Sequence, residues 1–124
     1  MKSAIGLTLL VAAVAALAQT SPTEFPTDAT PVAESALQES VSGKVYAVKL
    51  PDGVSWRMEF KPDGVYQFSS SRGLSEFGKW SAQESKLCTE GKKIGASCND
   101  IRKQGDALLL KRDNGQIVTM TVQQ

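Results

Sequence analysis

The chain has 124 residues, 41% of them hydrophobic and 22% charged, with 14 Lys and Arg balanced against 13 Asp and Glu. This is the length of one small domain, too short for a sheet covered by helices on both faces, and its near-neutral charge leaves no footprint for nucleic acid. It contains no histidine, which removes Ser-His-Asp and Cys-His catalysis, His-ligated zinc or iron, and a histidine pH switch together.

Residues 1–18 read as an export signal. Lys2 supplies the charged start, Ile5 to Leu17 the apolar run, and Ala16-Leu17-Ala18 the small-x-small cleavage site. The run is short for a membrane span, and no Cys stands at the cleavage point to take a lipid. The expectation is a soluble mature chain, periplasmic or secreted, with no stable membrane insertion after cleavage.

Residues 19–40, rich in Thr, Ser and Pro, predict a flexible N-terminal segment. Glu24, Asp28, Glu34 and Glu39 make it acidic, with no Lys or Arg between Gln19 and Gly43, so it should attract the basic remainder weakly. Across its end, Pro31 to Ser42 is compatible with a short helix: Thr30 as cap, Pro31 at the first turn, Gly43 as stop. Val32, Ala36 and Leu37 give that helix only a thin apolar stripe.

Residues 41–124 predict a small β domain. Its centre is Leu50 to Phe68, where the triplet Pro-Asp-Gly occurs twice between alternating runs. Pro presets φ, Asp bonds its own backbone, and Gly takes the left-handed position that closes a three-residue hairpin. With Pro51-Asp52-Gly53 as one loop, Leu50 faces Val54, Val48 faces Trp56 and Tyr46 faces Met58. With Pro62-Asp63-Gly64 as the next, Phe60 faces Tyr66 and Met58 faces Phe68. Every pair is apolar, while Ser55, Arg57, Glu59, Lys61 and Gln67 fall on the other side.

After Phe68, the run Ser69 to Gly73 ends the strand in a loop. Phe77 to Ala82 follows, with Gly78, Trp80 and Ala82 on one side, then Lys86 to Thr89, Ser97 to Lys103 and a turn at Gly105-Asp106. The last hairpin closes as a three-residue loop, Asp113-Asn114-Gly115, because that register sets Leu110 against Val118 and Leu108 against Met120. Seven or eight short strands with turns between them predict an all-β antiparallel meander forming a small closed or partly open barrel.

Cys88 and Cys98 are the only cysteines, and in an exported chain a disulfide between them is the expected state. It places Lys92 and Lys93 at the tip of a clamped loop, able to meet an acidic partner or an anion, although solubility explains them more simply. Trp56 and Trp80 could each stack on a ligand. Core packing is favoured for both, with Trp80 the more exposed of the two. Ser69, Ser70 and Ser71 beside Arg72 have no base to activate them, and no spacing brings Glu59, Glu76, Glu84 or Glu90 together as an acid-base pair. No catalytic residue, metal or cofactor is expected.

The motifs DGVSW (52–56), PDGVYQF (62–68), GKW (78–80), LC (87–88), CNDIR (98–102) and GDALLL (105–110) resemble, in order and spacing, small exported bacterial proteins grouped as a domain of unknown function. The resemblance spans about residues 41–122. It implies a periplasmic or secreted β domain with Cys88 paired to Cys98 and no assigned activity. The reading of the whole is a non-enzymatic binding or interaction module whose partner is an envelope or extracellular protein, a glycan or a small ligand. The alternative is a lipocalin-like carrier holding a small apolar ligand inside the barrel, by analogy of architecture alone.

Overall fold

The computed structural model describes residues 22–123; the export signal expected over 1–18 lies outside them. A two-residue strand, β1 (Thr30–Pro31), and a helix, α1 (Glu34–Val41), precede eight longer strands. These are β2 (Lys44–Lys49), β3 (Ser55–Phe60), β4 (Val65–Ser70), β5 (Ser75–Gln83), β6 (Lys86–Gly91), β7 (Gly95–Gln104), β8 (Ala107–Lys111) and β9 (Ile117–Val122). Each pairs antiparallel with the next, and β9 returns to β2 with Tyr46 opposite Val122 and Ala47 opposite Thr121. The meander is therefore a closed barrel.

The three registers read from turn chemistry are the ones observed: Val48 opposite Trp56, Met58 opposite Phe68, and Leu110 opposite Val118. In each hairpin the residue before the loop and the loop glycine both hydrogen-bond across it, as Leu50 N–H does to Val54 O (2.8 Å) and Gly53 N–H to Leu50 O (3.0 Å). The second loop residue accepts from the amide two positions on, Asp52 Oδ1 from Val54, Asp63 Oδ1 from Val65 and Asn114 Oδ1 from Gln116. Ser71-Arg72-Gly73 closes in the same way, with Gly73 at φ +96° and Ser70 Oγ accepting from Arg72 N–H in place of an Asp or Asn. β5 consequently begins at Ser75 and not at Phe77.

The helix starts later than its sequence signals suggest. Ala33 holds the cap position without a side-chain bond, while Thr30 and Pro31 are extended in β1, opposite Lys103 and Arg102. That stretch of β7 lies beyond the last residue paired with β6, so its edge is free, and an edge strand tolerates proline. The predicted stop holds: Ser42 N–H bonds Gln38 O and Gly43 N–H bonds Phe60 O, turning the chain from α1 into β2.

Alternation along the strands sorts the barrel into wall and core, and α1 makes its two ends different. Leu37 and Val41 are fully buried and join Tyr46, Phe60, Trp80 and Met120 in one cluster. Three bonds fix the helix end: Tyr46 O–H donates to Ser40 O (2.7 Å), Trp80 Nε1–H to Lys61 O (2.8 Å) and Glu84 N–H to Glu34 Oε1 (2.8 Å). The turns at 51–53, 71–73, 92–94 and 113–115 gather at the opposite end, where no helix covers the interior.

The described part of the segment read as flexible is seated on the barrel wall. Ile117 N–H donates to Pro22 O (2.8 Å), and Ala29 joins Leu109 and Ile117 in a small outer cluster. Phe25 packs there with Arg102 and Lys111 over its ring at 4.7 and 5.9 Å. The cations that meet this segment do so over an aromatic ring, while its carboxylates Asp28 and Glu34 accept from the neutral donors Gln104 Nε2–H and Glu84 N–H.

Candidate ligand cavity at the barrel mouth

At the uncovered end the core gives way to a cavity of about 350 Å³. Its apolar walls are Trp56 and Met58 on β3, Phe68 on β4, Leu87 on β6 and Leu110 on β8; Thr89, Ser97 and Asn99 form a polar strip on β6 and β7. Each is an inward position of its strand, so alternation alone brings them together. Ile94, Arg112, Asp113 and Asn114 form part of the rim.

The polar groups differ in how far they are committed. Asn99 Nδ2 donates to Lys111 O and to Asp113 Oδ1, both at 3.0 Å, and its Oδ1 accepts from Ser97 Oγ. Arg112 follows Leu108 and Leu110 in phase and so turns inward at the rim. Its guanidinium lies over the Trp56 ring at 4.9 Å, and Nη1 donates to Gln116 Oε1 (2.7 Å). Trp56 is itself held edge-on against Phe68, with centroids 5.7 Å apart.

One lip of the mouth is the β6–β7 hairpin, and it is pinned by a buried acid. Glu76, 6% exposed, accepts three backbone N–H groups, Lys92 at Oε1 and Lys93 and Ile94 at Oε2 (3.1, 2.6 and 3.2 Å). Three donors on one carboxylate satisfy both its charge and the loop's amides. The carboxylate has room because Gly91 lacks a side chain: a Cβ there would lie 2.7 Å from Glu76 Cγ. Cys88 and Cys98, opposite each other across the same hairpin, form a disulfide on its outer side.

The structure redistributes the residues singled out from sequence. Lys92 and Lys93 stand exposed on the lip, their side chains outside the cavity and Lys93 Nζ on Ser75 O (3.0 Å). Trp80, expected to be the more exposed tryptophan, is only 6% exposed and packs edge-on against Phe60 beneath the helix; Trp56 is the half-buried one that faces the cavity. Both point inward, but they stand at opposite ends of the barrel axis. Glu76, read from sequence as one of four dispersed surface carboxylates, is buried, and Arg112 was missed; each is a charge in phase with inward neighbours, Glu76 with Gly78 and Trp80, Arg112 with Leu108 and Leu110.

No protein-family model, curated protein or solved structure matches this chain.

Proposed function

We propose that this chain is a non-catalytic binding module of the periplasm or extracellular space, and that its ligand is a small molecule held in the barrel mouth. The observation that carries this reading is the cavity. At about 350 Å³, with apolar walls and a few polar groups, it falls in the range of about 300 to 1,000 Å³ usual for small-ligand sites. An eight-stranded barrel can fill itself with side chains or hold one small ligand, and this one does the first under α1 and leaves room for the second at the mouth.

Two further features support the reading. The Cys88–Cys98 disulfide fits an oxidising compartment. Among the described residues no helix is long and apolar enough to cross a membrane, and outward positions such as Arg57, Glu59 and Lys79 are too polar for a lipid-facing barrel. A non-catalytic role is supported by Glu76, whose buried carboxylate is occupied by the lip amides.

The test is titration of the mature protein with the neutral fluorophore N-phenyl-1-naphthylamine. Saturable one-to-one binding, quenching of Trp56 and loss of binding in Trp56→Ala are expected; no saturable binding of this probe rejects the cavity as a ligand site. A second reading, a protein partner at the lip, is favoured by one observation. Phe77, 65% exposed, shares a shallow outer groove with Lys92, close to the exposed Ile94. A Lys92→Ala, Lys93→Ala double variant should then lose an acidic partner in pull-down from envelope extract, and unchanged capture dismisses the lip.

A further inference from the structure

We infer that the mouth cavity selects small amphipathic carboxylates, taken apolar end first with the head group left on Arg112. This rests on the cavity being the ligand site and goes beyond it, to the class of ligand.

The argument starts from Arg112. Stacking on Trp56 and the bond from Nη1 to Gln116 fix the plane of its guanidinium, which leaves the remaining N–H donors free to grip an acceptor. Among the described residues no carboxylate lies within ion-pair distance of Arg112, whereas Arg57, Arg72 and Lys86 each have one. The adjacent Asp113 turns its Oδ1 to the Asn99 amide instead. A half-buried, oriented and unpaired guanidinium is the group that binds a planar carboxylate bidentately.

Position along the axis gives the rest. The inward residues of β3 run Phe60, Met58, Trp56 from helix to mouth, and those of β8 run Leu108, Leu110, with Arg112 next in phase. A ligand lying on Met58, Phe68 and Leu110 therefore has one end in an apolar floor and the other level with Arg112, the one cation among the described residues that line the cavity. Lys92 and Lys93 on the lip add positive charge at the entrance, which raises the encounter rate of an anion more than its final affinity. A neutral apolar ligand would leave the Arg112 donors to water, and a cation would meet like charge.

The experiment is displacement of N-phenyl-1-naphthylamine from the mature protein by octanoate, octanol and octylammonium at about pH 7.5, where the acid is ionised. Octanoate should displace at roughly one-tenth the concentration octanol needs or less, with octylammonium weakest, since a charge-assisted pair is worth about ten-fold or more. Arg112→Gln should bring octanoate and octanol to equal displacing concentrations, and Arg112→Lys should keep part of the difference. Equal displacement by octanoate and octanol in the wild type, or an octanoate preference that survives in Arg112→Gln, overturns the inference while leaving the cavity reading intact. Absence of probe binding overturns both. Should Arg112→Gln not fold, the wild-type ratio and Arg112→Lys decide the matter alone.

Discussion

The two ends of the barrel are built from the same grammar and finish differently. Each has a Pro-Asp-Gly turn, at 62–64 beneath the helix and at 51–53 at the mouth, and each draws on alternate residues of the same eight strands. At the helix end Phe60, Trp80 and Tyr46 meet Leu37 and Val41 and exclude solvent. At the mouth nothing equivalent to α1 arrives, and the inward positions there include Glu76, Ser97 and Arg112. The difference teaches that closure of the wall and filling of the interior are separate problems: strands solve the first, while the second is decided by what approaches along the axis.

The sharpest way to break this comparison is at the helix end. Phe60→Ala should destabilise by about 3 to 5 kcal/mol, because a fully buried ring leaves a void that α1 and the strands cannot collapse into. Urea unfolding measures it, and a loss below about 1 kcal/mol would mean that this end is as loosely filled as the other. Next comes the lip. Glu76→Ala strands the amides of Lys92, Lys93 and Ile94 and should cost about 3 kcal/mol, with faster amide exchange confined to residues 91–95. Uniform exchange across the barrel would show that the carboxylate serves global stability and not the lip.

Replacing Cys88 and Cys98 together by Ala should lower stability by about 2.5 to 3 kcal/mol on the chain-entropy account of a ten-residue loop, read as a shift in unfolding midpoint. Trp56→Ala is expected to cost only about 1 kcal/mol, since the ring already borders open space, yet to abolish probe binding. A cost like that of Phe60→Ala would place it in the core. The smallest effect is that of pH.

Burial raises the hydroxyl pKa values of both Tyr66 and Tyr46. Below about pH 10 both tyrosines are protonated whether folded or unfolded and contribute no pH dependence. Above it the unfolded chain ionises first, so stability falls as pH rises. With no histidine in the chain, stability should stay flat between about pH 6 and 9. A slope in that window would point to a group other than these tyrosines.

Much of the wall could be read from the residues alone. Pro-Asp-Gly and Asp-Asn-Gly loops fix register because a slip of one residue would turn Met58, Phe68 or Leu110 outward. The loop read at Ser69 to Gly73 is shorter than expected, because Ser69 and Ser70 still belong to β4 and only Ser71-Arg72-Gly73 turns; the bond that stands in for Asp comes from Ser70, outside the triplet. The exchange of roles between Trp56 and Trp80 has a different origin. Alternation tells inside from outside but carries no coordinate along the barrel axis, and only long-range pairing of β9 with β2 and the arrival of α1 decide which end is filled. Glu76 could have been flagged as an inward acid; its use could not, because its partners are amides sixteen to eighteen residues away.

Glu76 fastens the lip through peptide groups, which every amino acid except proline possesses. The identities of residues 92, 93 and 94 are therefore uncoupled from the shape of the loop that carries them. A lineage or an engineer could exchange those three side chains, retuning what the entrance admits, while the frame of the gate keeps its outline.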